Sequence, residues 1–203
     1  GGRFVRGVGL GRGGGAPGVG GKIIFLGESL TIGLGVTQEQ AYPALIQEKT
    51  GAANLPFEVI NAGISGDTSA GGLARLDWVL QKPIDVLVLA LGANDGLRGL
   101  PVAQLKSNLQ GIIDRVKAKN PAVKVVIAGM EIPPNYGAVY GAAFAAVFPD
   151  LAKQNNAALV PFLLEGVGGH IDLNQPDRMH PTAAGHKIVA ENVWRVLEPL
   201  LKK

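Results

Sequence analysis

Cysteine is absent from the 203 residues, which excludes disulfides and thiolate metal sites and fits either an oxidising or a reducing compartment. No run of 18 or more apolar residues occurs, so no transmembrane helix is expected. Acidic residues are missing from the first twenty positions, where Arg3, Arg6 and Arg12 supply the whole formal excess of +3. The remaining 16 basic residues match the 16 acidic ones, and no basic stripe with interleaved aromatics runs along the body. Nucleic acid is therefore not an expected partner. What the chain does have is 47% hydrophobic residues, ample for the core of one globular domain and too little length for a second.

Half of residues 1–20 are glycine. So little apolar surface cannot offset ordering entropy, and a flexible linker or appended segment is expected ahead of a single domain over 21–203. Gly9, Gly11 and Gly14 satisfy a G-x-G-x-x-G spacing, but the Gly-Ala-Pro-Gly that follows cannot open a helix. A dinucleotide site needs that helix, so no cofactor is expected. Nor does the segment hold the continuous apolar stretch of an ordinary signal peptide. If it is ordered, residues 4–8 are candidates for an edge strand.

Beyond residue 21, short apolar runs alternate with helical periodicity. Residues 22–26, 57–60, 84–91, 123–128 and 158–160 read as buried strands, rich enough in Val, Ile and Leu for a parallel sheet covered on both faces. Val102, Leu105, Leu109, Ile112, Ile113 and Val116 form one apolar helical face. Ile188, Val189, Val193, Val196, Leu197, Leu200 and Leu201 form another in the last helix. Regular βαβ alternation predicts an α/β fold, a three-layer α/β/α sandwich, with ligands bound outside the carboxyl ends of the strands.

Four separated segments carry chemistry at those ends. They are Gly27-Glu28-Ser29-Leu30, Asn61-Ala62-Gly63-Ile64-Ser65-Gly66-Asp67, Gly92-Ala93-Asn94-Asp95 and Asp177-Arg178-Met179-His180-Pro181. A serine hydroxyl becomes a nucleophile when a base takes its proton, and imidazole is the usual base near neutrality. Ser29 is thus the candidate nucleophile, His180 the base, and Asp177 the acid that orients the imidazole from three residues away. Alone, Ser29 reads more readily as a helix N-cap than as a nucleophile, and it is His180 that turns the reading. A tetrahedral oxyanion needs donors, and the Ser29 N–H, the Gly63 N–H and the Asn94 amide are the candidates. Asp67 and Asp95 read as turn formers. A metal site from Asp177, His180 and His186 is disfavoured, because helical positions six apart face different ways. No G-x-S-x-G elbow occurs, which argues against an ordinary α/β-hydrolase.

From about residue 22 to residue 201, these blocks resemble the SGNH (GDSL-type) hydrolases. The stretches 61–69 and 92–99, with Pro133-Pro134-Asn135-Tyr136-Gly137, are most similar to the bacterial arylesterase and thioesterase/protease/lysophospholipase subgroup. The resemblance implies a five-stranded parallel sheet in the order 2-1-3-4-5, an acyl-enzyme on Ser29, and neither cofactor nor metal. It assigns the oxyanion hole to Ser29, Gly63 and Asn94, and implies that residues 95–100 move when an acyl chain binds. It also implies a periplasmic or secreted enzyme acting on small acyl esters without stable membrane insertion. Leu97, Leu100, Pro133 and Tyr136 are candidates for the substrate groove, with Pro134, Tyr140 and Phe144 as further apolar residues.

One departure stands out: the first block carries Glu28 where the family has Asp. The extra methylene displaces a carboxylate that an Asp would bond within its own turn. Two readings therefore stand beside the esterase: an acyl-carbohydrate deacetylase or acyltransferase, and a catalytically weakened binding protein on the same fold. If His180 is the base, kcat/KM must fall as the pH is lowered and the imidazole takes up a proton. A flat profile from about pH 5 to 8 counts against that role.

Overall fold

Strand β1 (Gly21–Gly27) pairs in parallel with β2 (Phe57–Gly63) on one side and β3 (Val86–Ala90) on the other. Strands β4 (Lys124–Ala128) and β5 (Ala158–Val160) extend the sheet in the order β2-β1-β3-β4-β5, every pair parallel. The computed structural model describes residues 20–202, so the candidate edge strand at 4–8 lies outside the described residues. Ile23, Ile24, Phe25 and Leu26 are consecutive, and none is more than 2% exposed. Successive strand residues point to opposite faces, so this burial requires cover on both. The helices supply it.

They are α1 (Ser29–Ile32), α2 (Tyr42–Ala52), α3 (Ser69–Ala74), α4 (Leu76–Val79), α5 (Ala93–Leu97), α6 (Val102–Lys119), α7 (Ala138–Gln154) and α8 (Ala183–Leu201). Helices α2 and α8 pack together, while α3, α6 and α7 form a second row. The expected faces do the burying. Leu105, Leu109, Ile112, Ile113 and Val116 of α6 are all buried, as are Val189, Val193 and Leu197 of α8. The expected three-layer fold and strand order are those found.

Strand β2 runs three residues past the expected 57–60, through Asn61, Ala62 and Gly63. Asn, Ala and Gly are poor strand formers. They are held extended because the parallel ladder continues to the pair Gly27↔Gly63. That extension moves the start of the following loop, with consequences for the site.

His186 is placed by the core rather than by chemistry. It is 1% exposed, and its Nδ1 accepts the Tyr42 N–H at 3.0 Å at the start of α2. Tyr42 lies edge-on to Phe25 and bonds Thr31 through its hydroxyl at 2.8 Å. Burial, reinforced by the nearby His180, pushes the His186 imidazole down to about 4 from its ordinary 6.5. The unfolded chain therefore binds a proton that the fold refuses. This contribution to stability is complete above pH 6.5 and is lost as the pH falls toward 4, at about 1.4 kcal/mol per unit of difference. A His186→Asn variant keeps an acceptor for Tyr42 without titrating. Its melting temperature is expected to vary less than that of the parent between pH 6.5 and 4; an equal slope would place the acid sensitivity elsewhere.

Candidate active site

The chain leaves β1 at Gly27 and turns at once into α1, with Glu28 as its N-cap and Ser29 as its first residue. Opposite, a loop hydrogen-bonded across Asn174 and Pro181 delivers His180 just before α8. The Ser29 Oγ lies 3.0 Å from His180 Nε2, and His180 Nδ1 lies 2.5 Å from Asp177 Oδ2. The other carboxylate oxygen of Asp177 accepts the N–H groups of Met179 and His180 at 2.9 and 3.0 Å. The His180 ring, followed by these N–H groups, holds the Asp177 carboxyl at about 2, so it is ionised at any working pH. A carboxylate at Nδ1 keeps the proton there and leaves the Nε2 lone pair facing the hydroxyl.

Asn94 stands at the start of α5, directly after β3 and the bend at Gly92. Its Nδ2 donates to the Asp67 carbonyl at 2.9 Å, which uses one of two amide protons and fixes the side chain. Two acidic side chains read as turn formers tie these segments together. Buried Asp95 accepts the Ser69 N–H and hydroxyl at 2.8 and 2.7 Å, and Asp67 accepts Arg75 Nε at 2.7 Å. The guanidinium of Arg75 also donates to the carbonyls of Gly27 and Ala62, at 3.0 and 2.8 Å. Arg75 lies in no motif, so no sequence signal singled it out.

Gly63 is not where the sequence reading put it. As the last residue of β2 it gives its N–H to Asn61 Oδ1 at 2.9 Å, and it borders a second cavity beside Trp78. It must be glycine for packing: a Cβ there would lie 2.5 Å from the Ile32 nitrogen of α1. Gly66, three residues on, borders the same cavity as Ser29, Asn94 and His180. Its backbone is left-handed at φ 80°, its carbonyl is held by Arg98 at 2.9 Å, and its N–H finds no acceptor among the described residues. Of the two glycines, Gly66 is the one that borders the Ser29 cavity. The extra length of β2 explains the difference.

That cavity has a volume of about 500 Å³. Ser29, Asn94 and His180 line it, and Leu34, Leu97, Met130, Pro133, Phe162 and Leu164 are among its apolar walls. Of the expected groove residues, Leu97 and Pro133 line it, whereas Leu100 and Tyr136 do not. Tyr136 instead donates its hydroxyl to the Leu97 carbonyl, and Tyr140 does the same to Leu100, both at 2.6 Å. A phenol with a carbonyl in reach satisfies its polar end there and serves as a strut. Phe144 is core, stacked on Tyr140 and edge-on to Phe148. The walls from β4 and β5, such as Met130 and Phe162, follow strand ends and were signalled only by that position.

A hydroxyl, an imidazole and a carboxylate in one relay, opening on an apolar cavity, is the arrangement of serine hydrolases that act by acyl transfer. Residues 25–188 match the GDSL-like lipase/acylhydrolase family, and the chain belongs to it. It is 44% identical over 181 residues to the esterase TesA of Pseudomonas aeruginosa, covering 88% of this chain and 89% of that one. It is 38% identical over 181 residues to thioesterase 1/protease 1/lysophospholipase L1 of Escherichia coli, covering 88% and 84%. The crystal structure of the psychrotrophic esterase EstA from Pseudoalteromonas, inhibited by monoethylphosphonate, superposes with a TM-score of 0.84 at 33% identity. That match covers 90% of this chain and all of the other.

The two glycines and Asn94 separate by experiment. Asn94→Ala is expected to lower kcat by about 10²–10³-fold, the worth of one oxyanion donor, with a small change in melting temperature. Gly63→Ala should instead cost about 1–3 kcal/mol of stability through overpacking, read from denaturant unfolding. A stable Gly63→Ala protein with kcat reduced a hundredfold would return the donor role to Gly63.

Proposed function

We propose that the protein is a serine esterase that hydrolyses short to medium acyl esters through an acyl-enzyme on Ser29. The observation that carries this is the relay from Ser29 Oγ through His180 to Asp177, at 3.0 and 2.5 Å, opening on an apolar cavity. In this reading Ser29 Oγ attacks the ester carbonyl as its proton passes to His180 Nε2. Asp177 stabilises the resulting imidazolium. The tetrahedral oxyanion is met by the Ser29 and Gly66 N–H groups and the free proton of the Asn94 amide. His180 then protonates the leaving alcohol, and water, deprotonated by the same imidazole, releases the acid.

The walls formed by Leu34, Leu97 and Met130 suit an acyl chain better than a sugar, which favours an esterase over a carbohydrate deacetylase. The names of the relatives, esterase and thioesterase/lysophospholipase, support aryl esters first, with thioesters and lysophospholipids as further substrates. The family resemblance supports a periplasmic or secreted location; among the described residues no helix is long and apolar enough to cross a membrane.

The test is labelling with a serine-directed alkyl phosphonate followed by peptide mapping. One adduct per chain is expected on the peptide containing Ser29, lost in His180→Ala. A folded protein that hydrolyses esters yet carries no label on Ser29 would overturn the assignment. Aryl esters of increasing acyl length should then show kcat/KM rising and falling within the range that a cavity of about 500 Å³ can hold.

A further inference from the structure

The Ser29 hydroxyl has one proton and two acceptors. His180 Nε2 lies 3.0 Å from Oγ, and Glu28 Oε2 lies 3.1 Å from it on the neighbouring residue. Glu28 is 3% exposed, and its other oxygen accepts the Leu30 N–H at 3.3 Å, which caps α1. The sequence suggested that the methylene by which Glu exceeds Asp would simply displace the carboxylate. The structure uses that length differently: Glu28 still caps the turn and also reaches the nucleophile.

We propose that Glu28 is a second acceptor for the Ser29 proton, a positioning residue that competes with His180 and sets how often the nucleophile is presented to its base. The proposal rests on the reading of Ser29 as nucleophile. A hydroxyl that donates to the Glu28 carboxylate cannot at the same moment give its proton to Nε2. An anion about 3 Å from Oγ also opposes the negative charge that grows there during attack. A protonated Glu28 reverses the arrangement, donating to Oγ and leaving the hydroxyl proton to His180. The proton that leaves Oγ still ends on Nε2 and then on the leaving group. Glu28 changes only the fraction of hydroxyls aimed correctly.

Burial raises the Glu28 carboxyl above its usual range, opposed by the Ser29 hydroxyl, the Leu30 N–H and the charge of His180. The groups that face it are His180, with Asp177 behind it, Tyr42 from α2, and Arg75, whose guanidinium holds the Gly27 carbonyl next to Glu28. Burial raises the Tyr42 phenol well above its ordinary range, against the lowering effect of its bond to Thr31, so it stays neutral. Glu131 and Arg178 also line the same cavity.

The experiment compares wild type, Glu28→Gln and Glu28→Asp by the second-order rate of Ser29 phosphonylation from about pH 5 to 9, with steady-state kinetics on a short aryl ester. Gln can still accept from Leu30 but offers Oγ a donor in place of an acceptor, and Asp is too short to reach Oγ from the same backbone. Both variants are expected to react about three- to tenfold faster than wild type at the alkaline end, through kcat rather than KM. The advantage of Gln should shrink toward the acid end as Glu28 in the wild type takes up its proton. A purely structural role would give a ratio independent of pH. Rates at or below wild type in both variants, or a constant ratio, overturn the proposal while leaving Ser29 as nucleophile. If Glu28→Gln does not fold, the Glu28→Asp rate decides alone. Absence of label on Ser29 in every chain overturns the nucleophile reading, and the proposal with it.

Discussion

Parallel pairing in register brings Gly27, Gly63 and Ala90 to one level at the carboxyl edge of the sheet. Each strand must therefore hand its chain to a loop at the same place. The loop after β1 carries Ser29, the loop after β2 carries Gly66, and the turn after β3 carries Asn94. Arg75 reinforces the level directly, since one guanidinium holds the carbonyls of Gly27 and Ala62 and the carboxylate of Asp67. Its side chain and that of Asp67 are only 17% and 15% exposed. Removing one partner from such a pair leaves an uncompensated charge and orphaned carbonyls, a far larger loss than an exposed ion pair entails. A rigid edge is what acyl transfer requires, because oxyanion donors act only if they stand in place before charge develops.

The fourth segment reaches the same edge by a different route. Asp177 and His180 lie within one short loop whose own backbone N–H groups are satisfied by the Asp177 carboxylate. The acid and the base thus position each other, and only the Ser29–His180 distance depends on the packing of α8 against the rest. His186 makes part of that connection through the Tyr42 N–H. A buried neutral imidazole thereby links α8, which follows the Asp177–His180 loop, to α2.

The strands were legible because near-continuous Val, Ile and Leu runs have one reading in an alternating βαβ chain, their order came from the family resemblance alone, and three of the four segments stood out because a Ser, a His and an Asp at such strand ends have a shared chemistry. Gly63 was misread for a physical reason. Its glycine character looked like freedom for a donor loop, but it reflects the close passage of α1, and the ladder with β1 keeps it in the sheet. Composition reports an aromatic side chain but not which way its phenol turns, and the Tyr136 and Tyr140 hydroxyls found backbone carbonyls. Arg75 and the reach of Glu28 to Ser29 depend on contacts between residues that no local pattern marks.

In the proposed reaction one arrangement is central: Ser29 as nucleophile, with its oxyanion directed at Gly66 and Asn94 and its acyl group in the apolar cavity. A crystal structure of the protein after reaction with an alkyl phosphonate tests all three parts at once. The predicted result is a bond from Ser29 Oγ to phosphorus, a phosphonyl oxygen within hydrogen-bond distance of the Gly66 N–H and the Asn94 Nδ2, and the alkyl arm beside Leu34 and Leu97. A phosphonyl oxygen turned toward Gly63, or phosphorus bound to any other residue, would contradict it.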